Sequence, residues 1–559
     1  METAQPRTIT ATLLGGTCTS VPVDTPVCKV LAAPADKQGL RYLGALVNND
    51  VASLTYPLEV DCDVTPLTVT HPQGERIYRR SISFLVVKAV QELFPDARCM
   101  VEHALGTGFF CAFEQNGNSG ISKEKVDAIE KRMIEFCEQD IPIERLKLSF
   151  EDAVARFKAQ KQYDKYSLLR FMNPPKVVLF STAGFSDLAH GVLAPSTGAL
   201  NVFSLEPHAG GFVIQFPDPD NPTQAAPFKD QPHLFQIYQE HKEWGRILGI
   251  STVGTLNEVI ADRGIAEFIK IAEALHEKKL AQMADQVHQR RDRVRTILLA
   301  GPSSAGKTTM AKRLSIQLRV NGMRPRSISV DDYFVDRKDT PRDEDGNLDF
   351  EHVESIDLEL FNDDLKKLVA GEVINLPRFN FEKGAREYRG NQLQLADDEI
   401  LILEGIHCLN PRLSEAVPDE NKFKIFVSAL TQLNLDDSNR ISTTDNRLIR
   451  RMVRDHKFRG HSALTTLQMW PSVRRGEERW IFPNQHTADA TFNSALDYEL
   501  AILKPMVNPL LAEVKPSSEE YANARRLQDF LSYFVNASEE LVPSSSILRE
   551  YTGGSSFSY

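Results

Sequence analysis

"TILLAGPSSAGKTTMAKRLSIQL", residues 296–318, decides how this chain is read. An apolar run leads into a Gly/Ser-rich loop, and a helical pattern follows. Gly301, four residues, then Gly306-Lys307-Thr308 fit the spacing GxxxxGK[ST]. Glycines let backbone N–H groups turn inward onto phosphate oxygens, and the helix that follows adds its positive end. The loop Gly301, Pro302, Ser303, Ser304, Ala305, Gly306, Lys307, Thr308 and Thr309 is therefore expected to hold the phosphates of ATP. Lys307 is placed to reach the β and γ phosphates, and the Thr308 hydroxyl to bind Mg²⁺. A Gly/Ser-rich turn can match this spacing by chance. The strand before it and the helix after it argue against that here.

Working outward, the rhythm of strand and helix continues. "PRSISVDDYF" (325–334) reads as a strand ending in acids, and "DEILILEGIHCL" and "KFKIFVSA" as two buried strands. Strands alternating with helices predict a mainly parallel, doubly wound sheet. The acids Asp331 and Asp332 are either caps at a strand exit or carboxylates facing a γ-phosphate, where one takes the proton of an acceptor hydroxyl. Glu404 ends a buried strand and is either a cap or a Mg²⁺ ligand. In "DNRLIRRMVRDHKFRG", Arg447 and Arg451 share one helix face, and Arg450 and Arg454 another, with Arg459 just beyond. An Arg-rich helix alone is usually a solvated face. Downstream of a phosphate loop it is expected to cover the migrating phosphoryl group. Neither an NKxD base-reading motif nor an LSGGQ signature is present.

Together these pieces resemble the uridine kinase and phosphoribulokinase family of P-loop kinases. They are "GPSSAGKTT", "SVDDYF", "LDFEHVESID", "LPRFNF", "LILEGIH" and "DNRLIRRMVRD", in family order. The resemblance implies a phosphotransferase using ATP and Mg²⁺ on a small-molecule nucleoside, with uridine or cytidine as leading acceptor. Another nucleoside or a sugar phosphate is the alternative acceptor, and an RNA-binding or regulatory protein switched by ATP is the alternative of a different class. It implies Asp331 as catalytic base, assisted by Lys307, Arg450 and Arg454, with Arg459 on the nucleotide side. Thr308, Asp331 and Glu404 would surround Mg²⁺. Phe350, Glu351, Phe379, Arg386 and Arg451 would lie on the substrate side. Three positions depart from the family pattern. Phe379 replaces an aromatic Tyr, Gly384 replaces a base-recognising His, and His461 replaces an Arg after the lid glycine.

The residues before the loop read differently. Residues 8–66 alternate short apolar stretches with Thr, Gly, Pro and Asp, which predicts a small β-rich module. From 67 to about 225 an α+β pattern follows, and "PDPDNPTQAAP" (217–227) marks a boundary. Residues 226–292 read as a helical connector, 293–515 as the P-loop domain, and 516–559 as a last helix and tail. The first module resembles a TGS module. "GERIYRRSISFLVVKAVQELFPDA", "IEKRMIEF" and "GFSDLAHGVLAPSTG" are similar to the editing domain of threonyl-tRNA synthetases. The two His, Cys and His used there fall on Arg80, Phe84, Ala189 and Leu193. Phe, Ala and Leu neither bind metal nor activate water, so this resemblance implies a degenerate domain without hydrolysis. The expected fold is thus multidomain α/β.

Bulk properties agree. The chain has 559 residues, enough for several domains, and a net charge of −11. That charge disfavours RNA or tRNA as a partner, although Arg79, Arg80, Arg290, Arg291 and Arg293 could touch phosphates. Seven dispersed cysteines without a CxxC pair predict reduced thiols and a cytoplasmic location. Apolar runs fall well below the ~18 residues needed to cross a membrane, so no membrane association is expected. A homo-oligomer stays open.

Overall fold

The structure is a computed structural model that describes residues 7–344, 346–380 and 383–558. The first residues of the opening β-rich module and Tyr559 of the tail lie outside the described residues. The chain divides into two compact units. One comprises residues 1–262, 432–442 and 508–535; the other comprises 263–431, 443–507 and 536–559.

The first unit opens with a five-stranded sheet ordered Cys18–Pro22, Thr8–Leu13, Cys62–Leu67, Gly44–Val47, Asp50–Ala52. Residues alternate inward and outward along Thr8–Leu13, and Ile9 and Ala11 join Val27 and Val64 in a small core. A helix, Pro72–Leu93, follows. His71 caps it by accepting from Gln73 N–H, and Pro72 fits the first turn, where no N–H is needed. Ile82, Leu85, Phe113, Phe136 and Phe212 pack this helix into the unit's main core, against a sheet built on Ala97–Leu105, Gly108–Gln115 and Gly211–Gln215. The unit runs on through the 217–227 loop and two helices, Pro232–Leu248 and Val253–Ala261.

In the second unit, helix α1 (Ile265–Gln289) precedes strand β1 (Thr296–Ala300), the Gly-rich loop and helix α2 (Lys307–Val320). Strand β2 (Arg324–Ser329), an antiparallel pair β3 (Ile374–Asn380) and β4 (Ala385–Leu393), then β5 (Glu399–Glu404) and β6 (Lys422–Ser428) follow. Helices α3 (Thr443–Arg459) and α4 (Ala463–Gly476) lead through a π-helical turn, Glu477–Ile481, to β7 (Ala490–Asn493). A short α5 (Arg549–Thr552) lies near the end. The sheet is parallel throughout, in the order β2-β5-β1-β6-β7. Every residue of β1 and β5 is buried, as expected of strands covered on both faces. The sheet confirms the multidomain α/β expectation. Its crossovers change direction at β1, so the loop after β1 sits at the switch point, where such sheets bind ligands. The acids after β2 lie not in the strand but in a 3₁₀ turn, Val330–Tyr333. The fifth strand, β7, had no clear sequence pattern.

Candidate active site

The loop 301–309 is tightly enclosed. A Cβ at Gly301 would lie 2.1 Å from the Val427 carbonyl oxygen of β6, so only glycine fits there. Gly306 has φ +83°, a left-handed conformation suited to glycine, and it leads directly into α2. The Lys307 ammonium donates to the Pro302 carbonyl at 3.2 Å.

Beside the loop, at the end of β5, Glu404 Oε1 accepts from the Thr308 hydroxyl at 3.1 Å and the Ser329 hydroxyl at 3.3 Å. Burial, followed by the charge of Asp331, pushes the Glu404 carboxyl up to about 7, against the pull of Lys307. Strands β1, β2 and β5 thus bring Thr308, Asp331 and Glu404 to one end of the sheet. Among the described residues no cluster of three or more His, Cys, Asp or Glu forms a protein-only metal cage. Mg²⁺ does not need one, because it keeps waters and takes one or two carboxylates plus phosphates. A cation would relieve the crowding that raises Glu404, so the donor set fits Mg²⁺.

Helix α3 divides its arginines into two groups. Arg447 and Arg450 are fully buried braces. Arg447 Nε donates to the Ser303 carbonyl at 3.0 Å, and its other nitrogens clasp the buried Glu477, one at 3.0 Å. Glu477 Oε1 in turn accepts from the Ser303 N–H at 3.2 Å. Both backbone polar groups of Ser303 are therefore held. Arg450 pairs with buried Glu499 through Nε at 3.0 Å and reaches the Ser304 carbonyl at 3.4 Å. Burial alone would lower its pKa, but Glu499 raises it. The second group shares one carboxylate. Asp455 faces Arg451 at 3.2 Å, Arg454 at 3.2 Å and Arg459 at 3.3 Å. The charge of Arg454, with burial second, holds Arg459 down to about 10. Arg451 also reaches the Ser303 hydroxyl at 2.9 Å. Three guanidiniums against one carboxylate leave a positive surplus beside the loop.

Of the residues expected on the substrate side, Phe350 is exposed while Glu351 is buried, with its Oε2 lacking a hydrogen-bond partner among the described residues. Burial, then the Glu477 charge, pushes Glu351 up to about 7. Arg386 pairs with Asp357 at 2.9 Å, and its Nη1 is buried without a hydrogen-bond partner among the described residues. Phe379 lies with its ring 5.6 Å from Phe334 and its N–H donating to Asp332 at 3.2 Å. Gly384 has φ +64°, and a Cβ there would sit 2.7 Å from Arg337 Nε, so Arg337 occupies the space of a side chain at 384. His461 donates its backbone N–H to the Asp455 carbonyl at 3.1 Å.

Sequence reasoning missed Glu477, Glu499, Asp455 and Arg337. Only Asp455 carried a local signal, since it stands four residues from both Arg451 and Arg459.

In the first unit, Arg80 donates to the Val192 carbonyl at 2.9 Å, and Phe84 packs its ring 5.0 Å from Phe185. The helix 72–93 and the loop 189–193 therefore meet, as their pairing in the sequence implied. Beside them, Asp436 is buried between His190 at 2.9 Å and Lys165 at 2.5 Å, and Lys165 also faces Asp187 at 3.4 Å.

A parallel sheet with a Gly-rich phosphate loop at its switch point defines a P-loop nucleotide-binding domain. Residues 296–501 match the model of the Phosphoribulokinase / Uridine kinase family. The chain thus carries a domain of that family, joined to an N-terminal region similar to threonine–tRNA ligases. The Desulforamulus reducens ligase is 30% identical over 205 residues, covering 36% of this chain and 32% of the ligase. That of Janthinobacterium sp. is 34% identical, covering 34% of this chain and 30% of the ligase. The chain so spans about a third of the length of these curated relatives. Among solved structures, "a Possible Uridine Kinase from Bacillus stearothermophilus" is similar at 19% identity and TM-score 0.26, covering 38% of this chain and 98% of that one. Among the described residues no helix is long and apolar enough to cross a membrane.

Proposed function

We propose that this chain is an ATP- and Mg²⁺-dependent kinase that phosphorylates a ribose 5′-hydroxyl, with uridine or cytidine as the leading acceptor. The observation that carries this reading is the pairing of a held phosphate loop with the positive surplus of Arg451, Arg454 and Arg459 around Asp455. Phosphoryl transfer is catalysed mainly by positioning and by cations over the transferring group, and this arrangement supplies both. Lys307 and the loop amides bind the phosphates. Asp331 accepts the proton of the acceptor hydroxyl, and Glu351 receives a hydrogen bond from a sugar hydroxyl. Mg²⁺, held by Thr308, Asp331 and Glu404, would neutralise charge on the phosphate oxygens.

One observation favours a second acceptor class. Arg337 fills the space at Gly384, so a cation stands where the resemblance places a base-reading His. A cation at that position suits an anionic sugar phosphate. In the N-terminal region a TGS-like module precedes an editing-like domain whose reactive positions are Arg80, Phe84, Ala189 and Leu193, and no hydrolysis is assigned to it.

A panel of nucleosides and sugar phosphates, with product identified by phosphorus NMR, tests the reading. A 5′-phosphorylated nucleoside supports the first acceptor class and a bisphosphorylated sugar the second. ATP left unused with every acceptor would remove both.

A further inference from the structure

The C-terminal segment of the chain lies on the phosphate loop. The first turn of α2 exposes N–H groups with no acceptor inside the helix. Met310 N–H is the first to close back, onto the Gly306 carbonyl at 3.0 Å. The Thr309 N–H and hydroxyl both go to Glu550 Oε2, at 3.3 and 2.7 Å. A helix N-terminus opening from a Gly-rich loop is where phosphate binds. Here a carboxylate of the same chain stands on its donors.

The carboxylate is firmly delivered. Ile547, Leu548 and Tyr551 are fully buried, so apolar burial holds the segment in place. The Tyr551 hydroxyl donates to the Ser304 carbonyl at 2.9 Å, and its ring faces Arg450 at 5.2 Å. Ile547 rests on the inner glycine of the loop, since a Cβ at Gly306 would lie 2.6 Å from its Cγ2. Lys457 binds the Thr552 carbonyl, and Lys312 the Ser558 carbonyl. The charge of Glu550 also adds to that of Asp331 in raising Glu404, so Glu550 already stands close to other carboxylates on the Thr308 side of the loop.

We propose that segment 546–552 is a built-in competitor of the nucleotide, with Glu550 seated on Thr309 where a phosphate group binds. The inference rests on the reading of 301–309 as a nucleotide loop. A polyphosphate and an ionised carboxylate repel each other and claim the same donors. Nucleotide therefore enters only as Glu550 withdraws, and whatever holds the segment away raises nucleotide affinity.

The test compares the full chain with Glu550→Gln and Lys307→Ala by calorimetric titration with MgATP. Gln keeps an oxygen for Thr309 but loses the charge. Glu550→Gln is expected to bind ATP about tenfold tighter than the parent chain. Hydrogen exchange of the unmodified protein supplies a second measure that needs no variant. Amides of 546–552 should exchange faster with ATP bound. Lys307-dependent binding with equal affinity in Glu550→Gln, or with no rise in exchange, overturns the proposal and leaves the nucleotide loop standing. No Lys307-dependent binding by either the parent or Glu550→Gln overturns the nucleotide reading itself, and this proposal with it.

Discussion

At the scale of single residues, burial rather than motif membership sets the chemistry. Glu351 is an example. Its side chain is enclosed, its Oε2 has no hydrogen-bond partner among the described residues, and burial with the nearby Glu477 charge lifts it to about 7. The folded chain therefore holds a proton that the unfolded chain releases near the ordinary carboxylate range. The stability linked to that proton is fully present below about pH 4.5 and is lost as pH rises through about 7. The contribution is on the order of 2–3 kcal/mol. Glu404 and Asp497, each also pushed up to about 7 by burial, act in the same direction. Buried His407 and His103, whose imidazoles are held down by burial, act in the opposite direction up to about pH 6.5, so the melting temperature should fall between about pH 6.5 and 8. Glu351→Gln, which cannot ionise, should flatten part of that fall; an unchanged slope would mean Glu351 ionises normally in the fold. The sequence placed Glu351 beside a substrate. It did not show the burial, because no neighbour in the chain supplies it.

At the scale of elements, helix α3 was legible as a helix and its arginines as a group. Their division of labour was not. Three- and four-residue spacing pairs 447 with 451 and 450 with 454. The structure instead separates Arg447 and Arg450, as braces of Ser303 and Ser304, from the three arginines around Asp455. The deciding partners, Glu477 and Glu499, stand 30 and 49 residues further along, beyond any local pattern. Removing one member of a buried ion pair strands the other without water. Glu477→Ala should therefore cost about 3–5 kcal/mol in denaturant unfolding and loosen Ser303 as well. Glu477→Gln, which keeps hydrogen-bonding capacity, should cost less. Equal, small losses in both variants would mean the pair does not brace the loop. The parallel strands were easier to read, since β1 and β5 are continuous apolar runs, whereas β7 is four residues of mixed polarity.

At the scale of the whole molecule, the linear order of modules was readable but the composition of the units was not. Segments 432–442 and 508–535 belong to the same unit as residues 1–262, although both lie in the sequence of the C-terminal half. Asp436, from the first of these, is buried against Lys165 and His190, a pairing separated by 271 and 246 residues. Only the fold brings such groups together. The N-terminal resemblance accounts for the helix 72–93 and the loop 189–193, while the tail that reaches the phosphate loop carried no motif at all. What unites the second unit is one arrangement, a held loop, an acid after β2 and a cationic cluster, whose proposed task is to transfer phosphate. The most direct measurement is the turnover of ATP with the best acceptor by the full chain and by Asp331→Asn. Asp331→Asn should lower kcat by about 10²–10⁴-fold while MgATP still binds. Turnover by Asp331→Asn at the rate of the parent chain would contradict it.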